Sequence, residues 1–229
     1  MRVLRDIAPR AAAAVAMILL SVAAAILLRP CGDASHHDAE ESVCRISPYD
    51  EIMRAAAAVT GIDWRLLCAI ACVESEFDPA AVSGAGAVGL MQIMPSVGEH
   101  YGVCGDALLE PSNNISVAAS LLCDIERMMS LPATVPEEDR LRLVLACYNS
   151  GIGHVNDARR LAKAYGEDMN SWPVVARYLR LKNEPEYYGH ESVASGSFSG
   201  GRRTAAYVRD VMNLYAGYVR RTSDAAQEQ

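Results

Sequence analysis

Apolar residues recur at helical spacing over most of the chain, and the strict alternation of a half-buried strand is nearly absent. The first segment differs. Ala11 to Leu28 form an 18-residue apolar run broken only by Ser21, preceded by Arg2, Arg5 and Arg10. Residues 31–46 are polar and irregular and read as a tether. Ser47-Pro48-Tyr49-Asp50 then supplies an N-cap, a proline at the first helical position and an acid in the first turn, opening a helix that runs through Met53 and stops at Gly61. Asp63 caps a helix from Trp64 to about Phe77. Pro79 and Ser83-Gly84-Ala85-Gly86 mark a loop, Leu90 to Met94 a short element, and Pro95 to Tyr101 a helix. Further helices are expected over Ile115–Met129, Glu137–Tyr148, Gly153–Tyr165, Trp172–Leu181 and Thr204–Arg220, with residues 183–201 as a loop. The chain is thus predicted to be mainly α. It reads as residues 1–30, a signal or membrane-anchor helix; 31–46, a tether; 47–221, a single helical domain; and 222–229, a disordered tail.

One helix carries an anomaly. At about 100° per residue, Leu66, Leu67, Ile70, Ala71, Val73 and Phe77 share a face, and Glu74 falls inside that apolar stripe. Arg65 and Glu76 fall opposite. An ionised carboxylate on a buried face loses hydration, so burial raises its pKa toward the range a general acid needs near neutral pH. The plainer alternative is a carboxylate neutralised by a structural Arg or engaged in capping. Glu76 and Asp78 read as a solvated charge and a turn residue.

Composition narrows the setting. The 229 residues are about half hydrophobic, with 21 Lys plus Arg against 28 Asp plus Glu and a net charge of −7. No basic cluster stands out beyond short pairs such as Arg159-Arg160 and Arg202-Arg203, so nucleic-acid binding is not expected. The apolar run is longer than a usual signal core and at the short end of a membrane span of about 17–25 residues. Its N-terminal arginines predict that the remainder is exported. An uncleaved anchor is favoured over a cleaved signal. Arg29 and Pro30 stand where a lipoprotein signal ending at Cys31 needs small residues. Seven cysteines, at 31, 44, 68, 72, 104, 123 and 147, suggest disulfides in an exported protein, with at least one thiol left over. Cys68 and Cys72 have no second Cys/His pair at zinc spacing, so neither a metal nor an organic cofactor is expected.

Three later segments bear on chemistry. Gly84-x-Gly86-x-x-Gly89 matches a dinucleotide-binding pattern literally, but no strand precedes it and no βαβ unit surrounds it. Gly89-Leu90-Met91-Gln92 offers an amide suited to sugar hydroxyls or an N-acetyl group, beside a Met that packs on a sugar face or, more commonly, in a core. Cys147-Tyr148-Asn149-Ser150-Gly151 ends a helix with a Tyr and an Asn together, fitting either an N-acetylated sugar or an ordinary helix cap with a buried Tyr.

Taken in order, the Glu74-Ser75 pair, Gly89-Leu90-Met91-Gln92, Tyr148-Asn149-x-Gly151 and the late Tyr207-Val208 resemble the lytic murein transglycosylases with a goose-lysozyme-like, soluble-type catalytic domain, nearest to its membrane-bound F type. The resemblance covers roughly residues 48–220. It implies a lysozyme-like helical fold, Glu74 as acid/base and Ser75 stabilising the sugar at the cleavage point. It also implies that Met91 and Gln92 line a groove and that Tyr148, Asn149 and Tyr207 surround the acid and the N-acetyl group. The family cleaves the β-1,4 bond between N-acetylmuramic acid and N-acetylglucosamine, leaving a 1,6-anhydro ring. Peptidoglycan glycan strands are then the partner, with a monomer held at the membrane by its N-terminal helix and its catalytic domain in the periplasm, or secreted after signal cleavage. Two departures stand out: Cys147 replaces a usually small residue, and Arg203 stands where the family often has an acid before Tyr207. No solute-binding-like module is expected.

A single carboxyl suffices for this chemistry, whereas most glycosidases use two. Glu74 would protonate the leaving oxygen, the substrate's acetamido oxygen would stabilise the cationic carbon, and Glu74 would then take the C6 hydroxyl proton. Two rival readings remain at this point: a hydrolase on the same scaffold, favoured by a second carboxylate that positions water, and a non-catalytic peptidoglycan-binding scaffold. Residues 183–201 are the candidate lid over the groove.

Overall fold

Asp50 opens the first described helix by reaching backwards. Its carboxylate accepts the N–H of Ile46 at 2.8 Å, the N–H of Ser47 at 2.8 Å and the Ser47 hydroxyl at 2.7 Å. The helix itself, α1 (Asp50–Thr60), has Tyr49 at the N-cap, while the Ser47 hydroxyl accepts from the Tyr49 N–H. The capping interaction expected of Ser47 is therefore inverted: the acid in the first turn orders the residues that precede it. Gly61 closes α1 in the left-handed conformation.

The computed structural model describes residues 45–227. The N-terminal apolar run, the expected anchor and nearly all of the tether lie outside these residues, as do Cys31 and Cys44. After α1 come α2 (Trp64–Ser75), α3 (Pro95–His100), a 3-10 turn (Gly105–Leu108), α4 (Pro111–Met129), α5 (Glu137–Ser150), α6 (Ile152–Ala164), α7 (Trp172–Leu181), α8 (Pro185–Tyr188) and α9 (Gly201–Gln227). The described residues contain no strand; isolated antiparallel bridges pair Val88 with Val82 and Ile93. Among them no helix is long and apolar enough to cross a membrane.

Element types follow the sequence reading, and several boundaries move. Helix α4 starts at Pro111, four residues before the expected Ile115, because Pro fits the first turn and Asn114 has another use, described below. Helix α9 runs through Gln227, so the tail expected from residue 222 is helical to that point. A short helix, α8, sits inside the expected 183–201 loop. The single expected domain divides into two compact units, one running to Ser120 and resuming at Asn213, the other Leu121–Met212.

In the first unit, Asp63 caps α2 by accepting the Arg65 N–H at 2.9 Å and is bound by the Arg65 guanidinium and by the Tyr215 hydroxyl at 3.0 Å. Arg65 in turn donates to Thr222, on the stretch of α9 beyond the expected domain end. Met53, Leu67, Ile70, Leu90, Met91 and Ile115 are wholly buried; each such side chain contributes about 1.5–3 kcal/mol. In the second unit Leu143, Leu145, Val155, Leu161, Val175, Leu179 and Val208 form the core, and a buried Asp157–Lys182 pair sits among them.

The expected disulfides do not occur among the described residues: no disulfide joins Cys68, Cys72, Cys104, Cys123 and Cys147. Cys68 packs 3.7 Å from the Asp50 carboxylate, and Cys147 packs 3.4 Å from the sulfur of Met129. Burial pushes both thiols up, Cys147 to about 12.

Candidate active site

Helix α2 buries Leu66 through Ala71, including Cys68 and Ala69, which the wheel placed off the apolar face. Its last turn emerges: Cys72, Val73, Glu74 and Ser75 are half-buried. Glu74 thus stands where the helix leaves the core, and the stripe expected to run to Phe77 ends earlier because the helix does. Glu76 (φ 52°) and Phe77 (φ 66°) are both left-handed, a conformation costing about 1–2 kcal/mol for a residue with a Cβ. This reversal redirects Glu76. Assigned by helical periodicity to the far face, it lines, with Asp78, the same hollow of about 450 Å³ as Val73, Glu74 and Ser75. Three carboxyl-bearing residues therefore border one hollow.

Ser75 joins this helix end to the following loop. Its hydroxyl donates to the Leu90 carbonyl at 2.8 Å and lies 3.2 Å from the Ala71 carbonyl. The loop is a tight construction. Val88 and Ile93 exchange two backbone bonds of 3.0 Å, and the Gln92 N–H closes a turn onto Gly89. Gln92 is itself left-handed at φ 47°, and its amide nitrogen donates to the carbonyls of Ala81 at 3.2 Å and Gly89 at 3.0 Å. Those N–H groups hold the loop's own shape. Met91 departs further from expectation. Its side chain is wholly buried, so it belongs to the core and does not line a groove.

What holds this turn is Asn114, the residue just before the helix start expected at Ile115. Fully buried in the first turn of α4, it accepts the Met91 N–H at 2.7 Å and donates to the carbonyls of Val88 at 3.0 Å and Leu108 at 2.8 Å. The fit dictates Gly89: a Cβ there would stand 2.5 Å from the Asn114 amide nitrogen, at φ +76°. The glycine of the rejected dinucleotide pattern thus serves close packing against Asn114.

The remaining expected residues lie in the second unit. Tyr148 is half-buried and Asn149 exposed, both in the last turn of α5, which ends at Gly151. The Asn149 amide oxygen accepts the Thr204 hydroxyl at 3.0 Å, joining the end of α5 to the start of α9 three residues before Tyr207. Tyr207 is buried, 7 % exposed. The structure therefore brings Glu74 and Ser75 to the Leu90–Gln92 turn, and Asn149 to the helix carrying Tyr207. Among the described residues no group of three His, Cys, Asp or Glu side chains is placed to hold a metal ion.

Residues 51–170 match the family described as "Transglycosylase SLT domain". The chain belongs to this family. The matched SLT domain residues run from α1 to just before α7 and include Glu74, the Leu90–Gln92 turn, Asn114, Tyr148 and Asn149. Among similar proteins is the membrane-bound lytic murein transglycosylase F of Maricaulis maris, 36% identical over 172 residues, covering 75% of this chain and 36% of that protein. Another, from Alkalilimnicola ehrlichii, is 34% identical over 185 residues and covers 81% of this chain and 36% of that protein. The chain thus spans about a third of the length of these relatives. Of solved structures, the 70 kDa soluble lytic transglycosylase of Escherichia coli is similar at a TM-score of 0.50 and 26% identity, over 74% of this chain and 24% of that one. The same enzyme in complex with bulgecin A gives a TM-score of 0.50 and 26% identity. The SLT domain here is mainly helical and lysozyme-like, in agreement with the sequence expectation.

Proposed function

We propose that this SLT domain is a peptidoglycan lytic transglycosylase in which Glu74 acts first as acid and then as base. The observation carrying the proposal is the emergence of Glu74 from the core beside a hollow, locked through Ser75 to the Leu90–Gln92 turn. Family membership and relatives named lytic murein transglycosylases support the reaction class. The bond cleaved is the β-1,4 linkage from N-acetylmuramic acid to N-acetylglucosamine. Glu74 protonates the leaving oxygen, the substrate's acetamido oxygen stabilises the developing cation, and the Glu74 carboxylate takes the C6 hydroxyl proton as the 1,6-anhydro ring closes. Ser75 positions the turn and the sugar at the cleavage point. Gln92, Tyr148, Asn149 and Tyr207 serve substrate binding. The domain works in the cell envelope, held at the membrane by the N-terminal apolar segment.

Glu76 and Asp78 on the same hollow favour one second reading, hydrolysis with one of them positioning water. Mass spectrometry of fragments released from purified sacculi separates the two. Transglycosylation gives muramyl ends one water lighter than hydrolysis does. Glu74→Gln should keep the fold and lower release by about 10²-fold or more. Substantial residual release by that variant overturns the assignment of Glu74.

A further inference from the structure

The hydroxyl of Thr204 departs from a pattern found elsewhere in the helices of this chain. Thr60, Ser116, Ser150 and Thr222 each turn the hydroxyl back onto the carbonyl four residues earlier. Thr204, in the first turn of α9, sends its hydroxyl across to α5, where it donates to the amide oxygen of Asn149 at 3.0 Å. The carbonyl four residues back, on Gly200, receives the Thr204 N–H at 2.9 Å. The start of α9 is firmly seated. A Cβ at Gly201 would stand 2.3 Å from the Leu179 carbonyl oxygen, so this turn lies directly against α7. Thr204 itself is 1 % exposed, and its β-branched side chain has little freedom at χ1.

This bond gives the Asn149 side chain a polarity. A primary amide offers one acceptor oxygen and two N–H donors. The oxygen is engaged by Thr204, and the amide nitrogen has no partner among the described residues. Asn149 is exposed in the last turn of α5, so what it presents to solvent is a pair of donors. Turning the amide over would force the Thr204 hydroxyl to accept. Its proton would then need another acceptor where almost no water reaches. A donor pair recognises a carbonyl oxygen and offers nothing to an ammonium or an amide N–H.

We propose that Thr204 is a positioning residue that holds Asn149 as a hydrogen-bond donor to a carbonyl oxygen of the substrate, on the proposed glycan the carbonyl of an acetamido group. The proposal rests on the substrate-binding role given to Asn149 above and adds its direction: the amide donates and does not accept. Thr204 acts only through Asn149, because its own side chain is shielded.

Two measurements on the full chain test it. The first is NMR of the free protein, which needs neither substrate nor activity. The Thr204 hydroxyl proton should exchange slowly enough to be observed, and the Asn149 amide protons should exchange with water as those of an exposed side chain do. Asn149 amide protons protected from exchange would be donating within the protein, and the proposal would fall. The second is steady-state kinetics on soluble glycan strands. Thr204→Val keeps the shape and removes the hydroxyl. It should raise KM about three- to tenfold, the worth of one hydrogen bond, with kcat within about twofold. Thr204→Ser should restore KM. Asn149→Asp, which keeps the acceptor and loses both donors, should raise KM at least as far, and Thr204→Val should add nothing to Asn149→Ala. An unchanged KM in Thr204→Val, failure of Thr204→Ser to restore it, or additive losses in the double variant overturns the proposal. If the wild-type chain cleaves no glycan, the reaction reading fails, and the NMR measurement still decides the polarity of Asn149.

Discussion

The Lys182 ammonium lies 2.6 Å from the Asp157 carboxylate, and both side chains are entirely shielded from solvent. Asp157 also accepts the backbone N–H groups of Ala194 and Ser195, each at 2.9 Å, and binds Arg160. Arg160 reaches on to the Ser192 carbonyl at 2.7 Å. One carboxylate thus fastens the 192–195 loop, part of the segment read from sequence as a lid, to α6. Lys182→Met removes one partner and leaves a buried charge with less compensation. We expect a loss of about 3–5 kcal/mol, read as a lowered urea midpoint. A double replacement by apolar residues should not recover that loss, because two backbone N–H groups would still lack their acceptor.

This cluster also sets an acid sensitivity. Burial opposes ionisation of Asp157, but the Ala194 N–H, Lys182 and the Ser195 N–H outweigh it and hold the carboxyl down at about 2. Burial and the neighbouring Lys182, partly offset by Asp157, lower His154. Both folded values lie below the ordinary ones, so the unfolded chain binds more protons and acid destabilises the fold. The His154 contribution should be lost first, below its ordinary value of 6.5, and the Asp157 contribution between its ordinary value of 3.8 and about 2. Melting temperatures across that range check this. In Asp157→Asn the lower window should flatten.

Asn114→Ala should cost about 2 kcal/mol or more, since the Met91 N–H and the Val88 and Leu108 carbonyls lose their partner together. Gly89→Ala combines strain at φ +76° with a 2.5 Å contact, and a similar loss is expected. Sacculus release should fall in both variants even where the fold survives, because the turn bonded to Ser75 is disturbed. Denaturant titration beside the release assay reads both effects.

Thiol labelling should be selective. Cys68 and Cys147 are buried with their thiols raised, Cys147 to about 12, whereas Cys104 is exposed. Among these three, alkylation of the native protein at neutral pH should mark Cys104, and the other two only after unfolding. Peptide mass mapping gives the answer.

Helix positions were legible because amphipathic period and punctuation agree: Trp172–Leu181 appears as read, and Gly61 ends α1. An acid in an apolar stripe drew attention to Glu74. Asp157, wholly buried as well, lies off the apolar stripe of its helix and is not singled out in this way. Tertiary hydrogen bonds were not legible. Asn114 looks like a cap in sequence, and only the fold shows what it holds. Helical periodicity also misplaced Glu76, because it assumes that a helix continues, and two left-handed residues after Ser75 end it. The disulfides suggested by cysteine count fail among the described residues for a similar reason: count says nothing of proximity.

The Ser75–Leu90 bond has a mechanical consequence. Ser75 follows Glu74 directly, so the carboxyl-bearing helix tip and the turn across from it move as one body. Anything that presses on residues 89–92 is felt at Glu74. On the other side of that body the backbone takes the left-handed conformation at Glu76 and Phe77, which turns the chain away directly after the tip.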